Sequence, residues 1–195
     1  MTATRLYRQL CEEGYEAQVG FFDVTVEVGG ERRRAWRFLM RLMHSGRDFV
    51  RLYDRQDQIA FLDGHVRAFA HFGGVPRRIV YDNLKPAVRH VHFPRRQITE
   101  RFEALASHYG FEPCFARPGA GHDNGGVESR RKGIWLQVLT PIPRGDSLAA
   151  LSAWLQREVD RFAPARLEER FLAEAGLLGR CPTSRSRRAG CSRSR

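Results

Sequence analysis

Arg77-Arg78-Ile79-Val80-Tyr81-Asp82-Asn83-Leu84-Lys85 is the stretch that decides the fold. Ile79, Val80 and Tyr81 are β-branched or aromatic and favour a pleated strand. Gly73-Gly74 and Pro76 punctuate the chain before them. Asp82 then stands at the tip of a short buried strand, where a metal or phosphate ligand is often presented. A second candidate follows in Gly125-Gly126-Val127-Glu128. An Asp on a strand end and a Glu on a later helix suggest a two-carboxylate metal site acting on phosphodiesters. Each acid also has a plainer reading. Asp82-Asn83 is ordinary turn chemistry, and Glu128 is a solvated acid in a helix's first turn, where the dipole favours it.

Upstream of this stretch, Phe22, Val24, Val26 and Val28 alternate with Asp23, Thr25 and Glu27. Gly29-Gly30 makes a turn, and Trp36, Phe38, Met40 and Leu42 alternate with Arg37 and Arg41, so a hairpin with one buried face is expected. Phe49, Val50, Leu52 and Tyr53 predict a third strand. Ile59, Leu62, Val66 and Phe69 fall at helical spacing, with Asp57 as N-cap and Gly73-Gly74 as the stop. Residues 2–13 read as a short amphipathic helix with Leu6, Leu10 and Cys11 on its stripe.

Downstream, Ile98, Phe102, Leu105 and Tyr109 predict a helix closed by Gly110. A short strand over 111–115 leads into the glycine-rich loop Pro118-Gly119-Ala120-Gly121-His122. A helix is expected from about 124 to 138. Ser147 caps a last helix whose Leu148, Leu151, Trp154, Leu155 and Phe162 face inward. Three strands followed by α-β-α-β-α is the order of an RNase H-like α/β fold: a mixed five-stranded sheet with helices on both faces. Fold alone does not give function.

The 195 residues carry 33 Lys+Arg against 22 Asp+Glu, a net charge of +11. Such a balance favours a polyanionic partner, above all nucleic acid. Most of the basic residues are arginine, which suits bidentate phosphate contacts. Cys11, Cys114, Cys181 and Cys191 have no CxxC spacing and read as free thiols in a reducing cytosol. The chain has no apolar run long enough to span a bilayer and no signal-peptide pattern. Residues 180–195 hold six arginines and four serines with no acid, and disorder is expected there.

With Val75-Pro76 before it, the opening stretch, Pro118-Gly119 and Gly125-Gly126-Val127-Glu128 together resemble the IstA-type transposases of bacterial insertion sequences, which carry an integrase-like catalytic core. Gly64-His65-Val66-Arg67-Ala68-Phe69 and the helices over 97–109 and 147–162 extend the resemblance to roughly residues 15–170. It implies an Asp-Asp-Glu strand transferase for DNA transposition and integration, using Mg²⁺ or Mn²⁺. Asp82 matches the second acid and Glu128 the third, both as metal ligands. Lys85, Arg130, Arg131 and Lys132 become candidate DNA contacts. The implied partners are element-end and target DNA, a homo-oligomer or mixed multimer with intact transposase, and a helper ATPase. The implied location is the bacterial cytoplasm, on DNA, with no membrane.

The first acid is where the chain departs. The family pattern reads Ala-Gln-Val-Asp before an aromatic residue; here it is Ala17-Gln18-Val19-Gly20-Phe21. Glycine cannot ligate a metal, so impaired catalysis is expected. Asp23 does not substitute, because strand alternation turns it to the opposite face about 10 Å along. Residues 1–14 resemble a remnant of the family's helix-turn-helix region. The core is expected over 15–142, a helical extension over 143–179 and a basic tail over 180–195, as in a truncated copy. The alternative is a noncatalytic DNA-binding or regulatory fragment that associates with intact transposase. His90 and His92 lack a third ligand nearby, and His122 reads as a solvated loop histidine.

Overall fold

The computed structural model describes residues 14–81, 88–92, 95–115, 133–134, 138–162 and 165–182. The central path of the sheet is β3-β2-β1-β4-β7, built from β1 (Glu16–Val28), β2 (Glu31–Leu42), β3 (Asp48–Tyr53), β4 (Arg78–Tyr81) and β7 (Glu112–Phe115). β1, β2 and β3 are antiparallel neighbours, while β4 runs parallel to both β1 and β7. The expected mixed five-stranded sheet is therefore present. A sixth, two-residue strand, β8 (Arg144–Gly145), pairs with the far end of β1. A separate hairpin joins β5 (Val88–His92) to β6 (Arg95–Ile98). Ile98 ends that hairpin rather than opening the next helix.

β1 begins six residues before the alternation at Phe22 becomes visible. Its first half is buried on both faces, so the sequence there has no period of two to show. At its other end Gly29 and Gly30 both have positive φ, 60° and 85°, as a tight hairpin turn demands.

The described helices are α1 (Gln58–Phe72), α2 (Glu100–Tyr109), α3 (Leu148–Arg161) and α4 (Ala165–Ala175). Asp57 caps α1 by accepting from the Ala60 N–H at 2.8 Å, and Gly73 closes it in the left-handed conformation. Ile59 and Val66, expected on its buried stripe with Leu62 and Phe69, are exposed, because the face turned to the sheet is rotated towards Phe61 and His65. Phe61, His65, Ala68, Phe69 and Phe72 form the buried stripe. With Phe102 and Ala106 of α2 they cover Ala17, Val19 and Phe21 of β1. On the opposite face, Leu151, Leu155 and Val159 of α3 pack with Ile134 and Val138 against Val24, Val26, Leu39 and Val50. Val159 is buried, whereas Phe162, expected to face inward, is 43% exposed just past the helix.

α3 also seals an edge of the sheet. Among the described residues strand β3 pairs only with β2. On its open side Gln156 accepts from the Val50 N–H at 2.8 Å and donates to the Asp48 carbonyl at 3.1 Å. The Ser152 hydroxyl accepts from the Leu52 N–H at 2.9 Å. Helix side chains thus replace a strand partner and close the edge to pairing.

The end of α4 and the residues after it return to the core. Glu174 is fully buried and accepts from the backbone N–H of Gly14 at 3.2 Å and of Ser45 at 3.1 Å. Val75 and Gly179 exchange two 2.8 Å backbone hydrogen bonds, and Leu178 enters the α1-side core. The segment over 165–182 is therefore bonded to both the start of β1 and the approach to β4. The expected helix over 2–13, the basic tail beyond 182 and most of the helix expected over 124–138 lie outside the described residues.

Candidate active site

The site is built around the parallel pair of β1 and β4. Their register runs from Glu16 opposite Arg78 to Val19 opposite Tyr81. Gly20 follows Val19 on β1. Asp82 follows Tyr81 in the chain and lies outside the described residues, as do Lys85, Glu128, Arg130, Arg131, Lys132 and His122. His90 and His92 fall on β5. Of the positions singled out for chemistry, Gly20 and Asp23 are the ones the structure describes in full.

Strand alternation puts Gln18, Gly20, Phe22 and Val24 on the α3 side of β1, and Ala17, Val19 and Phe21 on the α1 side. Gly20 is buried opposite Leu39 of β2. The β1–β2 register is unbroken from Ala17 to Val28, with no bulge. Asp23 consequently stays on the face opposite Gly20, paired with Trp36. It is exposed and forms an ion pair with Arg34 at 3.4 Å. Its carboxylate is thus turned away from the face that Gly20 occupies.

Two buried arginines flank Gly20 diagonally on β2. Arg41, opposite Gln18, is neutralised by Asp48 through contacts of 2.7 and 2.8 Å from one nitrogen. Arg37, opposite Phe22, is only 1% exposed, and its guanidinium carbon lies 5.6 Å from the Phe22 ring centre. Sequence reading placed Arg37 on the polar side of an alternating strand. Both faces of β2 are in fact covered at that point, and alternation carries no signal for a polar residue buried on the second face.

A further group behind the site is His65. Its Nδ1 is 2.8 Å from the Phe61 carbonyl and its Nε2 is 2.9 Å from the Tyr81 hydroxyl. A carbonyl only accepts, so Nδ1 carries the proton and donates, and Nε2 accepts from Tyr81. Burial pushes the His65 pKa down to about 4, which holds the ring neutral. Burial also raises the Tyr81 hydroxyl well above its ordinary value. Phe61, His65 and Phe69 at spacings of four mark His65 as a core position of α1, a signal legible in the sequence.

The described residues do not by themselves fit a divalent cation. Among them no group of three or more His, Cys, Asp or Glu side chains converges. Gly20 offers no ligand, and a buried guanidinium shares its face. Cys114 and Cys181 are free thiols, and burial raises the pKa of each. Among the described residues no helix is long and apolar enough to cross a membrane.

The family model described as "Integrase core domain" matches residues 16–120. Over 152 residues the chain is 35% identical to a transposase of Aminobacter aminovorans, covering 77% of this chain and 30% of that protein. It is 31% identical over 150 residues to the transposase for insertion sequences IS1326/IS1353 of Pseudomonas aeruginosa, covering 76% and 29%. The transposase for insertion sequence element IS21 of the same organism is 29% identical over 157 residues, covering 80% and 40%. The chain thus spans about a third of the length of these relatives. Among solved structures, the catalytic core domain of BIV integrase superposes with a TM-score of 0.58 at 10% identity, covering 84% of this chain and 97% of that one. That likeness shows the integrase-core, RNase H-like fold.

Proposed function

This chain belongs to the integrase core domain family, and from that membership we propose that it is the core of a DNA transposase whose reaction class is strand transfer and whose own catalytic capacity is impaired. The observation that carries the reading is the β1–β4 register. It sets Val19 opposite Tyr81, and Gly20 and Asp82 are the residues that follow these two in the sequence. In this reading Asp82 and Glu128 are the second and third acids and Gly20 holds the place of the first. The finer IstA-type assignment rests on the motif over 75–85 and the likeness to the IS21 transposase.

Divalent metals bound between three such acids would activate the attacking oxygen and stabilise the leaving one. With glycine in the first place the residues fall short of that set, so no catalytic step is assigned to this chain. What its residues supply is binding and position. Lys85, Arg130, Arg131 and Lys132 contribute to the net charge of +11 that draws in a phosphate backbone. The His65–Tyr81 bond fixes the end of β4 from which Asp82 departs.

The test is strand transfer with terminal-repeat DNA and Mg²⁺ by the full chain, by Asp82→Ala and by Gly20→Asp, with DNA binding measured alongside. The unaltered chain is expected at the Asp82→Ala background while binding DNA in a salt-dependent way. Robust transfer by the unaltered chain overturns the impairment. Absence of DNA binding at low salt overturns the nucleic-acid reading.

The glycine at position 20 also favours a second reading: a noncatalytic DNA-binding or regulatory subunit that joins an intact transposase in a mixed multimer. Co-purification with an intact relative tests it, and failure to associate at micromolar concentration counts against it. A helper ATPase, a location in the bacterial cytoplasm and assembly into a multimer follow from the same family reading.

A further inference from the structure

Resting on the nucleic-acid reading of this core, we propose that the open end of its sheet, on the α1 side, is a further DNA-backbone contact surface built from Arg32, Arg34, Arg51, Arg67 and Arg144. Strand alternation and the β1–β2–β3 register put Asp23, Glu27, Arg32, Arg34, Trp36 and Tyr53 on this face, with Arg51 behind Tyr53. The core under α1 reaches Phe21 and Phe38; beyond them Asp23, Thr25, Arg32 and Arg34 are exposed. The opposite face of the same strands is packed at Val24, Val26 and Ala35. The sheet is therefore open here on one side.

The five arginines meet three carboxylates. Glu27 lies between Arg144 at 3.3 Å and Arg32 at 3.8 Å, and Asp23 meets Arg34 at 3.4 Å. Asp63 of α1 lies between Arg67 at 2.7 Å and Arg51 at 3.7 Å. The guanidinium of Arg34 also stands 4.6 Å from the Trp36 ring centre, and that of Arg51 stands 5.7 Å from the Tyr53 ring centre. Acids and rings thus hold the arginines in place, so less side-chain freedom is lost when a ligand arrives. All but Arg34 approach their carboxylates through Nε, which leaves the fork of the two terminal nitrogens for a second anion. The side chains of Arg32, Arg34 and Arg144 are 65%, 65% and 71% exposed, open to such a ligand. An excess of fixed, forked cations suits phosphate diesters. The track runs about 13 Å along β1 from Glu27 to Asp23 and about 10 Å across from β1 to β3. A duplex presents several phosphates over that length, one per about 3.4 Å of each strand. Such contacts position DNA without reading its sequence.

The experiment measures binding of a random-sequence DNA duplex across a salt series, using the full chain, Arg32→Ser/Arg34→Ser/Arg144→Ser and a control that loses the same charge elsewhere. The control is Arg101→Ser/Arg157→Ser/Arg170→Ser, three exposed arginines of α2, α3 and α4. Circular dichroism checks that each variant is folded. The first variant is expected to bind at least about tenfold more weakly at 0.1 M salt, with the slope of log affinity on log salt shallower by about two to three. The control should stay close to the unaltered chain. A second measurement needs no variant: ultraviolet crosslinking of a bromouracil-substituted duplex to the unaltered chain, mapped by peptide mass, should label the peptides that carry Trp36 or Tyr53. Equal losses in both variants, or adducts confined to residues 82–87 and 116–132, overturn this surface and leave the nucleic-acid reading standing. Absence of DNA binding by the unaltered chain at low salt overturns that reading and this surface with it.

Discussion

The Tyr81 hydroxyl donates to His65 Nε2 across 2.9 Å, joining the last described residue of β4 to the middle of α1. Both side chains are fully buried. Tyr81→Phe leaves Nε2 as a buried acceptor without its donor and is expected to cost about 1–3 kcal/mol. Urea unfolding measures this. His65→Leu together with Tyr81→Phe removes both polar groups and should cost less than the two single changes added together. Strict additivity would show that the pair is not coupled.

His65 also sets a pH dependence. Its pKa falls from 6.5 unfolded to about 4 folded, so the unfolded chain binds a proton that the folded chain refuses. Above pH 6.5 both states are neutral at this ring and it adds no slope. Stability should fall as pH drops from 6.5 towards 4, by about 3 kcal/mol across the window. His71, lowered in the same direction by burial, adds to the trend. Chemical denaturation at pH 7.5, 5.5 and 4.5 tests this, and His65→Leu should flatten most of the slope.

Gly64 lies where α1 crosses β2. A Cβ there would come 2.6 Å from the Phe38 ring, which is itself packed in the core. Alanine favours helix over glycine by up to about 1 kcal/mol, but the overlap forces the helix or the ring to move. Gly64→Ala is expected to destabilise by about 1–3 kcal/mol, as over-packed cores do. A rise in melting temperature would show that helix propensity wins instead.

The edge of β3 offers a solubility prediction. Gln156→Leu removes the partner of the Val50 N–H and the Asp48 carbonyl. Ser152→Ala removes the partner of the Leu52 N–H. Each should cost about 1–3 kcal/mol. The double variant reopens an edge strand and should aggregate at concentrations where the parent is monodisperse. Static light scattering checks this; an unchanged molecular mass would mean that something else guards the edge.

Much of this architecture was legible in the chain. The hairpin was marked by period-two alternation around Gly29-Gly30, and α1 by Asp57, the Ile59–Phe69 spacing and Gly73, although Ile59 and Val66 of that spacing are exposed. The β4 strand was marked by Ile79, Val80 and Tyr81. Each depends on local rules that one segment obeys by itself. The parts that were not legible depend on what lies across the fold. The first half of β1 shows no alternation because both its faces are covered. Phe162 matches the stripe of α3, yet the helix ends before it reaches the sheet. The short β8 strand exists only because β1 outruns β4 and leaves its far end unpaired by that strand.

The candidate site divides in the same way. The sequence alone determined that position 20 is a glycine and offers no ligand, since that is a matter of residue identity; its equivalence to the first acid of the family pattern belongs to the proposed function. The sequence also determined that Asp23 would face away, since alternation along a strand is local. Only the tertiary structure decided that Arg37 is buried beside Gly20 and that Tyr81 is held by His65. Both depend on strand register and on how closely a helix approaches a sheet. Those are fixed by packing among segments far apart in the chain, and no short window of residues records them.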